Sequence, residues 1–73
     1  MNIAIVGATG NVGRKIIGIL EKKQTNIENL FLLASKNSEG KKINYNGKEH
    51  VVTDLEQFDF SNVKIAFFAA GSG

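Results

Sequence analysis

Cysteine is absent from these 73 residues, and only one histidine is present. Without thiols there is no disulfide framework, and one imidazole is too few for a zinc cage. A domain near 60 residues buries only about 60% of the surface its unfolded chain exposes, so a core this small lacks its usual staples. Charge of one sign is missing as well. Nine Lys+Arg face seven Asp+Glu for a net +2, and the basic residues are spread from Arg14 to Lys64. Lys36 with Lys41-Lys42 comes nearest to a cluster, too little for a nucleic-acid footprint. The strongest apolar stretch, Ile65 to Ala70, falls far short of the ~20 residues of a membrane helix. No basic segment precedes an apolar core at the N-terminus. With 42% apolar residues the chain is not a disordered tail either. The default expectation is a soluble, cytoplasmic protein without nucleic-acid or membrane partners.

What is present is ordered along the chain. Asn2-Ile3-Ala4-Ile5-Val6 is a short β-branched run that suits a strand covered on both faces. After the glycine-punctuated stretch Gly7 to Gly13 the period changes. Val12, Ile16, Ile17 and Leu20 fall on one helical face, with Arg14, Lys15, Glu21, Lys22 and Lys23 opposite, predicting an amphipathic helix to about Lys23. Gly18 inside it costs about 1 kcal/mol against Ala, which close packing on the sheet would justify. Thr25 to Asn29 is a polar turn, and Leu30 to Ala34 is a second apolar strand. Ile43-Asn44-Tyr45 and Lys48 to Val52 flank Asn46-Gly47, the strongest short hairpin signal, because both turn residues need positive φ. Thr53 to Asn62 is a connection, and Val63 to Ala69 is a third buried-type strand in which Phe67 and Phe68, like Phe31 before them, belong to the core. The order predicts an α/β sheet with parallel main strands plus a small β-hairpin. No helix follows the last strand, so residues 1–73 are expected to be the first part of a longer dinucleotide-binding domain. A mini-domain stabilised by self-association is the alternative.

Gly7-Ala8-Thr9-Gly10-Asn11-Val12-Gly13 lies between strand and helix, the context a dinucleotide site demands. Gly7 permits a sharp turn off the strand, Gly10 a close approach of backbone to a pyrophosphate, and Gly13 close packing of the helix. The N–H groups of Asn11 to Gly13 would face the diphosphate with the helix dipole behind them. The spacing is G-x-x-G-x-x-G rather than G-x-G-x-x-G, and no Gly-Lys-Ser/Thr follows, which excludes a P-loop.

NAD sites usually carry an acidic residue at the end of the second strand for the ribose 2′-OH. Here Ser35-Lys36-Asn37-Ser38 follows Ala34, with no carboxylate before Glu39. Two hydroxyls, an amide and an ammonium would bond a 2′-phosphate, so the local chemistry favours NADP; an ordinary polar loop is the other reading. Ala70-Gly71-Ser72-Gly73 ends the third strand, as a ligand loop or a plain turn. His50 has no partner that spacing identifies, and Asp54, Glu56 and Asp59 show no paired acid/base arrangement.

The runs IAIVGATGNVGRKIIGILE, LFLLASKNSEGKKINYNGKEHVV and FSNVKIAFFAAGSG resemble the opening stretch of the aspartate-semialdehyde dehydrogenase family. The GATGxVG turn is shared with other acyl-phosphate reductases and with NmrA-type proteins; the LLAS-x-x-S-x-GK segment and the strand ending in Ala-Gly are more specific. The resemblance implies the N-terminal part of a Rossmann-like NAD(P)-binding domain, with the catalytic and dimerisation domain outside this chain. It implies an NADPH-dependent reduction of L-aspartyl 4-phosphate to the semialdehyde, toward lysine, threonine and methionine. The Cys nucleophile and the acid/base His would lie beyond Gly73, in a homodimer or homotetramer. By the same resemblance Thr9, Gly10, Asn11 and Val12 match the pyrophosphate turn, with Ser35, Asn37 and Ser38 at the 2′-phosphate and Ala70-Gly71 near the nicotinamide. Many members have Arg where this chain has Asn37; Lys36 is then the available cation, a point charge without the guanidinium fork. N-acetylglutamyl-phosphate reductase and a non-catalytic NmrA-like sensor are the alternatives.

Overall fold

The structure is a computed structural model and describes residues 1–23 and 27–69. Strands β1 (Asn2–Val6), β2 (Asn29–Ala34), β5 (Thr53–Asp54) and β6 (Ile65–Phe68) form one parallel sheet in the order β5-β2-β1-β6. Helix α1 (Asn11–Lys22) joins β1 to β2, and an antiparallel hairpin of β3 (Lys42–Tyr45) and β4 (Lys48–Val51) stands between β2 and β5. β1 is central because it is apolar at every interior position. Ile3, Ala4 and Ile5 are all buried, and β1 pairs along its length with β2 and along most of it with β6.

Alternation along the strands sorts the side chains into two faces. Ile3, Ile5, Leu30, Leu32 and Ala34 share a core with Ile17 and Leu20 of α1, Tyr45 of the hairpin and Val52. On the other face Phe31 packs against Phe58 at a ring separation of 5.0 Å, and Phe58 against Phe60 at 4.8 Å. The hairpin turn has φ 52° at Asn46 and 80° at Gly47, the left-handed pair that its sequence demands.

Four expectations are corrected. The buried stripe of α1 is Gly13, Ile17 and Leu20; Val12 is half-exposed, because the helix begins at the rim of a cleft. Gly18 lies on the exposed face, and a Cβ there meets nothing within 4 Å, so sheet packing does not explain it. β6 is shorter than Val63 to Ala69 and pairs only with β1 among the described residues, and Phe68 is 69% exposed rather than in the core; Phe67, half-buried, does pack against the core, whereas Phe31 is half-buried on the other face. The connection Thr53 to Asn62 contains β5 and two single 3-10 turns, Leu55–Gln57 and Phe60–Asn62, each started by an aspartate that accepts the N–H two residues on. The expected turn Thr25 to Asn29 lies partly, and the loop Ala70 to Gly73 wholly, outside the described residues.

Candidate functional site

The strand-to-helix turn is built from backbone. As the chain leaves β1, the N–H groups of Gly7 and Ala8 both donate to the Leu33 carbonyl, at 2.8 and 3.1 Å, which ties the turn to β2. Gly7 has φ 84°, and a Cβ there would lie 2.3 Å from the Ala69 carbonyl oxygen. At Gly13 a Cβ would lie 2.2 Å from the Gly7 oxygen and 2.8 Å from Ala8 Cα. Both glycines are required by the protein's own packing. Gly10 is different, since its Cβ would meet only the Gly7 oxygen at an ordinary 3.5 Å.

Gly10 is also the N-cap of α1, in extended conformation, with no side-chain cap and no acidic residue in the first turn. The first N–H groups of a helix have no intrahelical acceptor. Those of Asn11 and Val12 therefore stand at the positive end of the helix dipole, where an anion is favoured.

This end of α1 opens on a cleft of about 1070 Å³ at the carboxyl ends of the strands. Gly7, Thr9, Gly10, Asn11 and Val12 form one wall; Ser35, Lys36 and Asn37 line it across from them, where β2 ends. Val6, Ala34 and Ala69 complete the floor. Gly13 is buried behind the turn. Ser38 does not line the cleft; its hydroxyl accepts from Thr9 Oγ1 at 3.4 Å, a long contact that links the two loops. Ala70 and Gly71 lie outside the described residues. His50 sits on β4, edge-on to Tyr45 at 6.0 Å, and is not part of the cleft. No group of three or more His, Cys, Asp or Glu that could hold a metal occurs among the described residues, and no helix there is long and apolar enough to cross a membrane.

The sequence reading missed the third segment of the cleft, Asp54, Leu55 and Glu56 at the end of β5. A two-residue strand has no periodicity to detect. The available signal was topological, since a short run parallel to β2 must deliver its last residue to the same edge of the sheet.

The family described as semialdehyde dehydrogenase, NAD binding domain, matches residues 2–73. The chain belongs to this family. An aspartate-semialdehyde dehydrogenase of Vibrio mimicus is 49% identical over 70 residues, covering 96% of this chain and 22% of that protein. A USG-1 protein homolog of Azotobacter vinelandii is 48% identical over 71 residues, 97% of this chain and 21% of the relative. The crystal structure of aspartate semialdehyde dehydrogenase II from Vibrio cholerae, complexed with ASA, superposes with a TM-score of 0.93 at 48% identity, over 96% of this chain and 23% of that one. The chain thus spans about a fifth of the length of the relatives it matches. Its fold is that of the Rossmann-like N-terminal part of these enzymes, and the family assignment makes a nicotinamide dinucleotide the cofactor class. The cleft fits such a group: an uncapped helix N-terminus, a glycine whose missing Cβ only a ligand would notice, and a cation across the gap.

Proposed function

We propose that residues 1–73 are the N-terminal part of the cofactor-binding domain of an NADP-dependent aspartate-semialdehyde dehydrogenase, whose catalytic and dimerisation domain lies elsewhere in the protein. The observation that carries this reading is the cleft itself, walled by the free α1 N-terminus and by Ser35, Lys36 and Asn37. Its likeness to relatives named aspartate-semialdehyde dehydrogenase favours this enzyme over N-acetylglutamyl-phosphate reductase and over NmrA-type sensors.

In this reading the N–H groups of Asn11 and Val12 hold the pyrophosphate, and Gly10 keeps the approach clear. Ser35, Lys36 and Asn37 hold the 2′-phosphate, and the Thr9–Ser38 contact keeps the two loops in register. The bound dinucleotide supplies hydride for reduction of L-aspartyl 4-phosphate. This chain has no cysteine, and none of the residues lining the cleft pairs a nucleophile with a base, so its part is binding and orientation. The soluble homodimer or homotetramer of the resemblance belongs to the same proposal.

Calorimetric titration with NADPH and NADH tests it. NADPH should bind at least tenfold more tightly, and Lys36→Ala should remove most of that margin while leaving NADH almost unchanged, as expected for a charge-assisted bond of about 1.5–3 kcal/mol. Equal binding of both by the native protein would discard the 2′-phosphate assignment. One relative similar to the same extent in this segment, a USG-1 protein homolog, is not named for this activity, which leaves a second reading in which the same cleft serves a protein without this turnover. Phosphate-dependent reduction of NADP with aspartate semialdehyde separates the two: turnover supports the dehydrogenase, and tight NADPH binding without turnover supports the other.

A further inference from the structure

Resting on the dinucleotide reading, we propose that Asp54 recognises the base of the cofactor, accepting a hydrogen bond from the exocyclic amine of adenine. Asp54 is 4% exposed, yet it lines the cleft. It ends β5 in register with Ala34, the last residue of β2, so the sheet sets a carboxylate beside the segment Ser35–Asn37 although the sequence places it some twenty residues away. Its Oδ1 accepts the Glu56 N–H at 3.1 Å and starts the turn Leu55–Gln57. That bond fixes the side chain and uses one oxygen; among the described residues no other hydrogen bond to this carboxylate forms. The residue is thus nearly buried while its second oxygen stays accessible on the cleft, an open acceptor held in place for a donor of the ligand.

The sheet order decides which donor. The pyrophosphate belongs at the α1 N-terminus above β1, and the ribose at the end of β2. β5 lies one strand further out, a spacing of about 4.8 Å, where the chain of ligand groups has passed from sugar to base. Half-buried Leu55, next in sequence and also lining the cleft, offers an apolar surface to a flat ring. A ribose carrying a 2′-phosphate has no 2′-hydroxyl left to donate, and its charge would be repelled by Asp54. The amine of adenine donates, whereas the oxygen at the same position of hypoxanthine only accepts.

The test compares NADPH with its hypoxanthine analogue in titrations of the protein. Native protein should bind NADPH roughly 10- to 100-fold more tightly, the range of one hydrogen bond to a charged group. Asp54→Asn keeps an oxygen for the Glu56 N–H and adds a donor, so the ratio should fall to within about threefold while the circular-dichroism melt is retained. Equal binding of the two dinucleotides by native protein would overturn the assignment, whatever the variant does. A variant that leaves this ratio intact but raises the preference for NADPH over NADH would overturn it too, because Asp54 would then face the ribose. Failure to bind either dinucleotide would sink the cofactor reading itself, a different result from equal binding.

Discussion

The two walls of the cleft work by opposite means. The wall from Gly7 to Val12 is continuous in sequence and presents backbone, and Gly10 leaves the way clear for close approach. The facing wall is assembled from the ends of β2 and β5 and presents side chains: a hydroxyl, an ammonium, an amide and two carboxylates. Backbone donors suit what every dinucleotide shares, a diphosphate. Side chains suit what distinguishes one dinucleotide from another. In the proposed reading, chemistry that is common to the class is thus held by a fixed turn, and discrimination is delegated to residues that can be exchanged without disturbing it.

The largest break in this comparison is expected at Gly13. Gly13→Ala puts a methyl group 2.2 Å from the Gly7 oxygen, so backbone must move and the turn is lost with the packing. Destabilisation of about 3 kcal/mol or more should appear as a melting temperature lowered by more than about 10 °C. Gly10→Ala should do the reverse. Its methyl group meets an ordinary 3.5 Å contact, so beyond the loss of a glycine N-cap, about 1 kcal/mol at most, stability should be kept, while NADPH and NADH both lose at least about tenfold in affinity by titration. Gly18 touches neither wall; Gly18→Ala should raise stability by about 1 kcal/mol in urea unfolding and leave binding unaltered.

The smallest effect concerns the two aspartates that start 3-10 turns. Asp59 makes the same local bond as Asp54, to the Ser61 N–H at 2.9 Å, but is exposed, and that bond lowers its pKa from the ordinary 3.8. Since the folded value lies below the unfolded one, the carboxylate contributes stability above about pH 4 and loses it as pH falls through the folded value. Asp59→Asn should therefore flatten the loss of stability slightly between about pH 5 and about pH 2, without effect on cofactor choice. A steeper loss in the variant would contradict the sign.

How much of this was legible follows from the same contrast. Continuous features could be read. The alternation in period between β1 and α1, the glycine turn and the Asn46-Gly47 hairpin each lie within a few neighbouring residues, and local sterics dictate them. The facing wall was only half legible. Ser35, Lys36 and Asn37 follow a recognisable strand, whereas Asp54 reaches the cleft through a sheet order that no local pattern announces. Val12 and Phe68 show the matching limit on apolar patterns. Periodicity tells which residues share a face, but what covers that face depends on the neighbours; at Val12 the neighbour is a cleft, and at Phe68 none of the described elements.

The pairing of β1 has a further consequence, for the timing of folding. β1 is synthesised before both of its partners in the sheet, one of which is β6, and the bonds that dock β6 join Asn2 to Asn62 and Lys64. At about 5–20 residues per second, some 60 residues of synthesis separate the two, roughly 3–12 s. Through that interval β1 can pair on one edge only, with a row of unsatisfied amides and carbonyls on the other. Among the described strands, the one that leads into the glycine turn is therefore exposed longest to wrong partners, and stalling before β6 leaves its open edge available for aggregation.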